Sequence, residues 1–102
     1  MSAVKYNESN FGEVREREGI SLIDFYADWC GPCRMVMPIV EEIASEREDI
    51  LVAKVNVDDN PSLAKEFGVF SIPTLVVMKD GEIIKRSSGA KSKDKILEMV
   101  DA

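Results

Sequence analysis

Cys30 and Cys33 are separated by two residues, and they are the only cysteines in this chain of 102 residues. Two thiols at this spacing can close a small disulfide ring and open it again. Pro32 suits the first turn of a helix, where its missing N–H has no hydrogen bond to lose. A helix starting there would direct free N–H groups and a positive dipole end at Cys30, which lowers the pKa of a thiol. The pattern predicts a dithiol/disulfide redox centre.

Two other uses of the cysteine pair are weighed against this prediction. A structural disulfide closing a four-residue loop stabilises a fold by about 2 kcal/mol, against about 3 kcal/mol for a fifteen-residue loop. A zinc site normally takes four Cys, His or carboxylate ligands, and the chain has two cysteines and no histidine. A metal or cluster site would therefore have to share ligands between chains. We expect neither a metal nor a cofactor.

Length and charge narrow the classes of function. With 102 residues, of which 45% are hydrophobic, the chain is expected to form one domain over residues 1–102 and to act as a monomer. Its net charge of −6 argues against a nucleic-acid or anionic-membrane partner. No secretory signal follows Met1, and no apolar run reaches membrane-spanning length. These features predict a cytoplasmic protein, and in that reducing compartment a cysteine pair is more often catalytic than structural.

Helical and strand patterns alternate along the chain. The prediction is a short strand at 4–6, a helix at 8–18, a strand at 20–27, a helix at 32–47, a strand at 51–57, a helix at 61–67, a hairpin of strands at 74–78 and 82–86, and a helix at 93–100. Alternation followed by a hairpin implies an α/β fold with a mixed sheet between helical layers.

Individual residues mark the ends and turns of these elements. Asn60 is predicted to cap the third helix and Gly68 to end it. Ser92 is predicted to cap the last helix, and Asp80-Gly81 to form the hairpin turn. Pro38, inside the second helix, is expected to kink it.

Asp24 interrupts a strand that is apolar on both of its faces. Ile23 and Phe25 lie on one face of this strand and Leu22 on the other, which is typical of a strand covered by helices above and below. Asp24 is therefore either a strand-edge carboxylate in water or a buried carboxyl with a raised pKa. Lys54 interrupts the next strand in the same way, and it could simply face solvent.

The chain resembles the thioredoxin family over nearly its whole length. A bare Cys-x-x-Cys is a weak motif, but Cys-Gly-Pro-Cys after Trp, with Ile-Pro-Thr forty residues later, is a strong one. The matching segments are 24–35, Pro38, 54–58, 67–69, 71–75, 80–81 and 88–90. The resemblance implies a thioredoxin fold with its first three strands parallel, an antiparallel C-terminal hairpin, and helices on both faces.

The residues and the resemblance together assign roles around the cysteines. Cys30, nearer the strand end and expected to be the more exposed thiol, is the predicted nucleophile, and Cys33 is the predicted resolving thiol. The resemblance implies that Asp24 acts through water as general acid/base for Cys33 and that Lys54 approaches Asp24 and tunes it. It also implies that the bond between Ile72 and Pro73 is cis, faces the disulfide, and leaves the backbone of Ile72 to pair with an extended substrate.

An apolar platform around Cys30 completes the predicted site. Its members are Trp29, Gly31, Pro32, Ile72, Pro73, Gly89 and Ala90. The sequence departs from many thioredoxins at four positions nearby, which are Phe70, Ser71, Ser88 and Lys91. Phe70 enlarges the apolar rim, whereas Ser88 and Lys91 make its far side more polar.

These observations predict a general protein-disulfide reductase that maintains cell redox homeostasis. Thioredoxin reductase or an equivalent electron donor would recycle it, and proteins containing disulfides would be its targets. Three alternatives stay open from the sequence. They are a dedicated oxidant or isomerase with a higher reduction potential, a non-catalytic module whose binding is switched by oxidation, and a cluster-binding dimer.

Overall fold

The computed structural model describes residues 2–102, which build a five-stranded sheet flanked by helices. The strands are β1 (Val4–Lys5), β2 (Ile20–Tyr26), β3 (Leu51–Asn56), β4 (Thr74–Lys79) and β5 (Glu82–Ser88). The helices are α1 (Gly12–Arg15), α2 (Gly31–Glu46), α3 (Pro61–Glu66) and α4 (Lys93–Val100). Within residues 2–102, no helix has the length and apolar character needed to cross a membrane.

The sheet has the strand order β1-β3-β2-β4-β5. Strand β3 runs parallel to both β1 and β2, whereas β4 is antiparallel to β2 and to β5. The predicted mixed sheet, with parallel strands followed by an antiparallel hairpin, is confirmed. Strand β2 lies at the centre, so the loop that follows it emerges from the middle of one sheet edge.

Each face of the sheet carries its own apolar core. On one face α2 and α4 pack on β2 through Val40, Ile43 and Ile96, which belong to the same cluster as Leu22. On the other face Phe11 and Phe67 pack beside Phe25. The two-sided burial predicted for the second strand is confirmed, and it fixes β2 tightly under α2.

The prediction for the first helix is wrong in its extent. The sequence pattern predicts a helix over 8–18, but α1 has only four residues, Gly12–Arg15. The side chain of Asn7 accepts from the backbone N–H groups of Ser9 and Asn10, and Asn10 Oδ1 accepts from Asn7 N–H at 2.7 Å. These local side-chain bonds satisfy the backbone in a non-helical turn and delay the start of the helix.

The predicted capping role of Asn60 is also wrong, because its buried side chain bonds elsewhere. Its Oδ1 accepts from the N–H of Glu8 at 2.9 Å, and its Nδ2 donates to the carbonyl of Asn56 at 3.0 Å. The N–H of Ser62 in the first turn of α3 donates instead to the Glu8 carboxylate at 2.9 Å. Both polar groups of the Asn60 side chain are therefore taken by contacts outside α3.

The other turn and cap predictions are confirmed. Asp80 and Gly81 have φ of 53° and 84°, the left-handed pair that a two-residue hairpin turn requires. Gly68, with φ of 66°, follows α3, and the Ser92 hydroxyl accepts from Lys95 N–H at the start of α4. Pro38 lies inside α2 as predicted.

Candidate active site

Cys30 and Cys33 are joined in a disulfide at the N-terminus of α2, with Cα atoms 5.3 Å apart. Cys30 is the N-cap residue, and its Sγ accepts a hydrogen bond from Cys33 N–H at 3.2 Å. Pro32 occupies the first turn. Cys30 is 4% exposed, whereas Cys33 has no exposed surface, so a partner reaches Cys30 first.

The loop before β4 faces the disulfide. The Ile72–Pro73 peptide bond is cis, and the Ile72 carbonyl oxygen lies 3.8 Å from Cys30 Sγ. The Thr74 hydroxyl donates to the carbonyl of Ser71 at 2.6 Å, and Gly89 N–H donates to the carbonyl of Pro73 at 2.8 Å. The first bond is internal to the loop that faces Cys30, and the second ties the segment after β5 to it.

The platform residues differ in how accessible they are. Gly31, Pro32, Gly89 and Ala90 are exposed, Ile72 is partly buried, and Pro73 is buried. The accessible surface around Cys30 is therefore supplied mainly by Gly31, Pro32, Gly89 and Ala90, with Pro73 beneath it.

Three large apolar side chains on nearby segments are exposed. Trp29 is 67% exposed, Met35 is 71% exposed and Phe70 is 98% exposed. The indole N–H of Trp29 donates to Oδ2 of Asp58 at 2.7 Å. This contact of Asp58 was not predicted from the sequence, where the only available signal was its place at the end of the matching segment 54–58.

Asp24 is fully buried in the centre of β2, on the face that carries Leu22 and is covered by α2. Burial raises the pKa of Asp24 to about 7, and the charge of Lys54 opposes that rise. Neither carboxylate oxygen has a hydrogen-bond partner among residues 2–102. Of the two alternatives for this residue, the structure has the buried carboxyl with a raised pKa.

Lys54 is directly opposite Asp24 in the register of β2 and β3. Its side chain is 25% exposed, and its Nζ lies 4.0 Å from Oε1 of Glu41 on α2. Glu41 was likewise not predicted, because one acidic residue on a helix surface carries no signal of a contact with a distant strand.

A disulfide at a helix N-terminus, facing a cis-proline loop on this sheet, matches known proteins closely. The thioredoxin family model matches residues 2–102. The chain belongs to the thioredoxin family. It is 46% identical to a thioredoxin of Staphylococcus haemolyticus over 99% of this chain and 97% of that one. It is 44% identical to a thioredoxin of Bacillus subtilis over the same shares of the two chains.

A solved structure agrees with the sequence relatives. A mutant thioredoxin from Halobacterium salinarum superimposes with a TM-score of 0.91 at 38% identity, covering 98% of this chain and 88% of that one. Thioredoxins are thiol-disulfide oxidoreductases that thioredoxin reductase reduces and that act on disulfide targets. This chain is accordingly a protein-disulfide reductase, with Cys30–Cys33 as its redox-active disulfide.

Proposed function

We propose that Cys30 is the attacking thiol and that it transfers electrons to protein disulfides in two steps. In the reduced protein the Cys30 thiolate attacks one sulfur of a target disulfide. The Cys30–target S–S bond forms, the target S–S bond breaks, and the second target sulfur leaves as a thiolate. The observation that carries this assignment is the position of Cys30 Sγ, which accepts from Cys33 N–H and belongs to the more exposed of the two cysteines.

Cys33 then resolves the mixed disulfide. Its thiol gives its proton, through a bridging water, to the Asp24 carboxylate, and the resulting thiolate attacks Cys30 Sγ. The Cys30–Cys33 bond forms, the remaining target sulfur leaves as a thiolate, and two electrons have passed from the dithiol to the target. The pKa of about 7 that burial gives Asp24 supports this role, because a proton carrier works best when its pKa is near the working pH.

Lys54 is proposed to tune the carboxyl of Asp24. Support comes from its place opposite Asp24 in the sheet register and from its charge, which lowers the pKa of Asp24 against the effect of burial. Without that charge, the carboxyl would hold its proton at a still higher pH.

The platform is proposed to bind an extended segment of the target on either side of its cysteine. The backbone of Ile72 is presented beside Cys30 Sγ, where it can pair with a target strand. Trp29, Gly31, Pro32, Gly89 and Ala90 supply exposed surface around this position.

The remaining proposals concern the setting of the reaction. The chain is proposed to act as a monomeric single domain in the cytoplasm, without a metal or cofactor of its own. Thioredoxin reductase or an equivalent donor would return the Cys30–Cys33 disulfide to the dithiol. A chain whose two cysteines both belong to the exchanging pair suits a compartment that keeps thiols reduced.

The test is reduction of insulin disulfides driven by dithiothreitol, with the wild type compared with Cys30→Ser and Cys33→Ser. We expect turnover by the wild type and none above background in either variant. Cys33→Ser should accumulate a mixed disulfide through Cys30, while Cys30→Ser should not. Trapping through Cys33 instead would reverse the roles, and a wild-type rate equal to the background would refute the reductase assignment.

A further inference from the structure

The ion pair that Lys54 makes is with Glu41, although Asp24 is its partner in the sheet register. The Lys54 Nζ lies 4.0 Å from Oε1 of Glu41, and Glu41 reaches it from the third turn of α2. Both oxygens of Asp24 are left without a hydrogen-bond partner among the described residues. A cation therefore lies opposite a buried carboxyl in the sheet but is ion-paired with a different anion.

Glu41 is itself held in place from the other side. The backbone N–H of Ala3, just before β1, donates to the same Oε1 at 2.9 Å. Ala3 is buried, whereas the Glu41 side chain is 39% exposed, so this partly buried bond anchors Glu41 at the edge of the core. Oε1 of Glu41 thus accepts a hydrogen bond from the Ala3 N–H and is also the oxygen nearest the Lys54 ammonium.

We propose that Glu41 is a positioning residue that draws the Lys54 ammonium away from Asp24, so that the buried carboxyl can still exchange a proton with Cys33. This inference rests on the proposed role of Asp24. An opposite charge within about 4–6 Å lowers the pKa of a carboxyl by about 1–3 units. A Lys54 turned fully toward Asp24 would leave it ionised throughout the neutral range, unable to hold the proton that Cys33 gives up.

Among the described residues, the charged or titratable groups on the elements around Asp24 are Lys54 on β3, Lys5 opposite Lys54 on β1, Tyr26 on β2, and Cys33 and Glu41 on α2. From β4 the register partner of Asp24 is the uncharged Leu75. Lys54 is the charge that lowers the pKa of Asp24, so its position decides the outcome.

The test is to measure the pKa of Asp24 in the oxidised Glu41→Gln variant. The NMR signal of the Asp24 carboxyl carbon is recorded as a function of pH. Glutamine keeps the length of Glu41 and can still accept from Ala3 N–H, but it no longer attracts Lys54. We expect the pKa of Asp24 to fall by about one unit. Glu42→Gln is the matched control, because Glu42 is the next residue and pairs with Lys93 at 2.7 Å. In this variant the pKa of Asp24 should equal that of the wild type.

A second comparison separates the Lys54 route from direct repulsion between Glu41 and Asp24. In a Lys54→Met background, Glu41→Gln should leave the pKa of Asp24 unchanged. The same fall with and without Lys54 would overturn the proposal, and so would equal pKa values in the wild type and Glu41→Gln.

The kinetic counterpart is the pH dependence of the release of a preformed mixed disulfide between Cys30 and a target, a step that needs no Cys30 thiolate. The rising limb of the rate, which reports the Asp24 carboxylate acting as base, should move to lower pH in Glu41→Gln by the same amount as the pKa. An unmoved limb would overturn the proposal. The NMR titration needs no turnover, so an inactive wild type would refute the reductase assignment without deciding the part played by Glu41.

Discussion

The indole N–H of Trp29 donates a 2.7 Å hydrogen bond to Oδ2 of Asp58. Trp29 directly precedes Cys30, and 67% of its surface is exposed. An exposed indole would ordinarily sample several rotamers. The bond to a loop beyond β3 favours one orientation of the ring next to the reactive cysteine, on the surface that a target meets.

Asp58→Ala should release the Trp29 ring. We expect a lower fluorescence anisotropy for Trp29 and a KM for insulin about two- to five-fold higher, with kcat little changed, because only the contact surface is disturbed. Stability should fall by about 1 kcal/mol or less, since the bond is exposed. Asp59→Ala is the control, because this neighbouring carboxylate makes no hydrogen bond to Trp29 in the described part of the chain. Equal effects of Asp58→Ala and Asp59→Ala would refute the proposal that the Asp58–Trp29 hydrogen bond supports target binding.

Asp24→Asn should stabilise the protein at alkaline pH and not at acid pH. The folded-state pKa of Asp24 is raised from 3.8 to about 7, so its ionisation costs stability progressively between those values. That cost is absent below about pH 3.8 and complete above about pH 7, where it amounts to at most about 4 kcal/mol. Urea unfolding should show the variant about 2–4 kcal/mol more stable than the wild type at about pH 8 and nearly equal to it at about pH 3.5.

The same variant should be slow in the step that Cys33 performs. Without a carboxyl at this position, release of the mixed disulfide at about pH 7 should slow by about ten-fold or more. Rapid-quench trapping of the Cys30 adduct measures this directly. If Asp24→Asn is more stable at alkaline pH but releases the mixed disulfide at the wild-type rate, Asp24 is not the proton acceptor for Cys33.

Phe70→Ser should weaken binding of protein targets and leave small disulfides unaffected. Phe70 is 98% exposed, whereas Phe11, Phe25 and Phe67 are buried, and it lies two residues before Ile72 on the loop that faces Cys30. An exposed aromatic on the loop that faces the exchanging sulfur can contribute about 1 kcal/mol of contact with a target, or about five-fold in KM for insulin.

Ile83→Ser provides the control for this prediction. Ile83 is also an exposed apolar residue, at 46%, but it lies on β5 just after the hairpin turn, opposite Met78 at the end of β4 that is far from Pro73. Its KM for insulin should equal that of the wild type, and both variants should reduce a small aromatic disulfide normally. A similar rise in KM for Ile83→Ser, or a loss of activity toward the small disulfide in Phe70→Ser, would count against a specific contact between Phe70 and protein targets.

Gly81→Ala and Gly89→Ala should differ in cost although both glycines have positive φ, 84° and 91°. A Cβ on Gly81 would collide with the backbone carbonyl of Arg15, whereas a Cβ on Gly89 meets nothing within 4 Å. We expect about 1–2 kcal/mol of backbone strain for Gly89→Ala and about 3 kcal/mol or more for Gly81→Ala. Thermal unfolding measures both, and a cost for Gly89→Ala equal to or above that of Gly81→Ala would contradict the steric argument.

Much of the fold is readable from local patterns, because those patterns report on burial and turn chemistry. The apolar faces around Leu22 and Phe25 place the central strand, and Asp80-Gly81 places the hairpin. The first helix is shorter than its pattern predicts for an equally local reason. Asn7 and Asn10 offer the backbone an alternative to the helix, and a weak apolar face does not outweigh it.

At the site, four consecutive residues define the chemistry, while its surroundings depend on tertiary packing. The spacing of Cys30 and Cys33 and the proline between them already point to a redox pair, and Trp29 and Ile72-Pro73 strengthen that prediction. Asp58 beside Trp29, and Glu41 beside Lys54, join residues far apart in the chain. Such pairs depend on strand register and helix rotation, which only the folded packing of α2 on the sheet fixes.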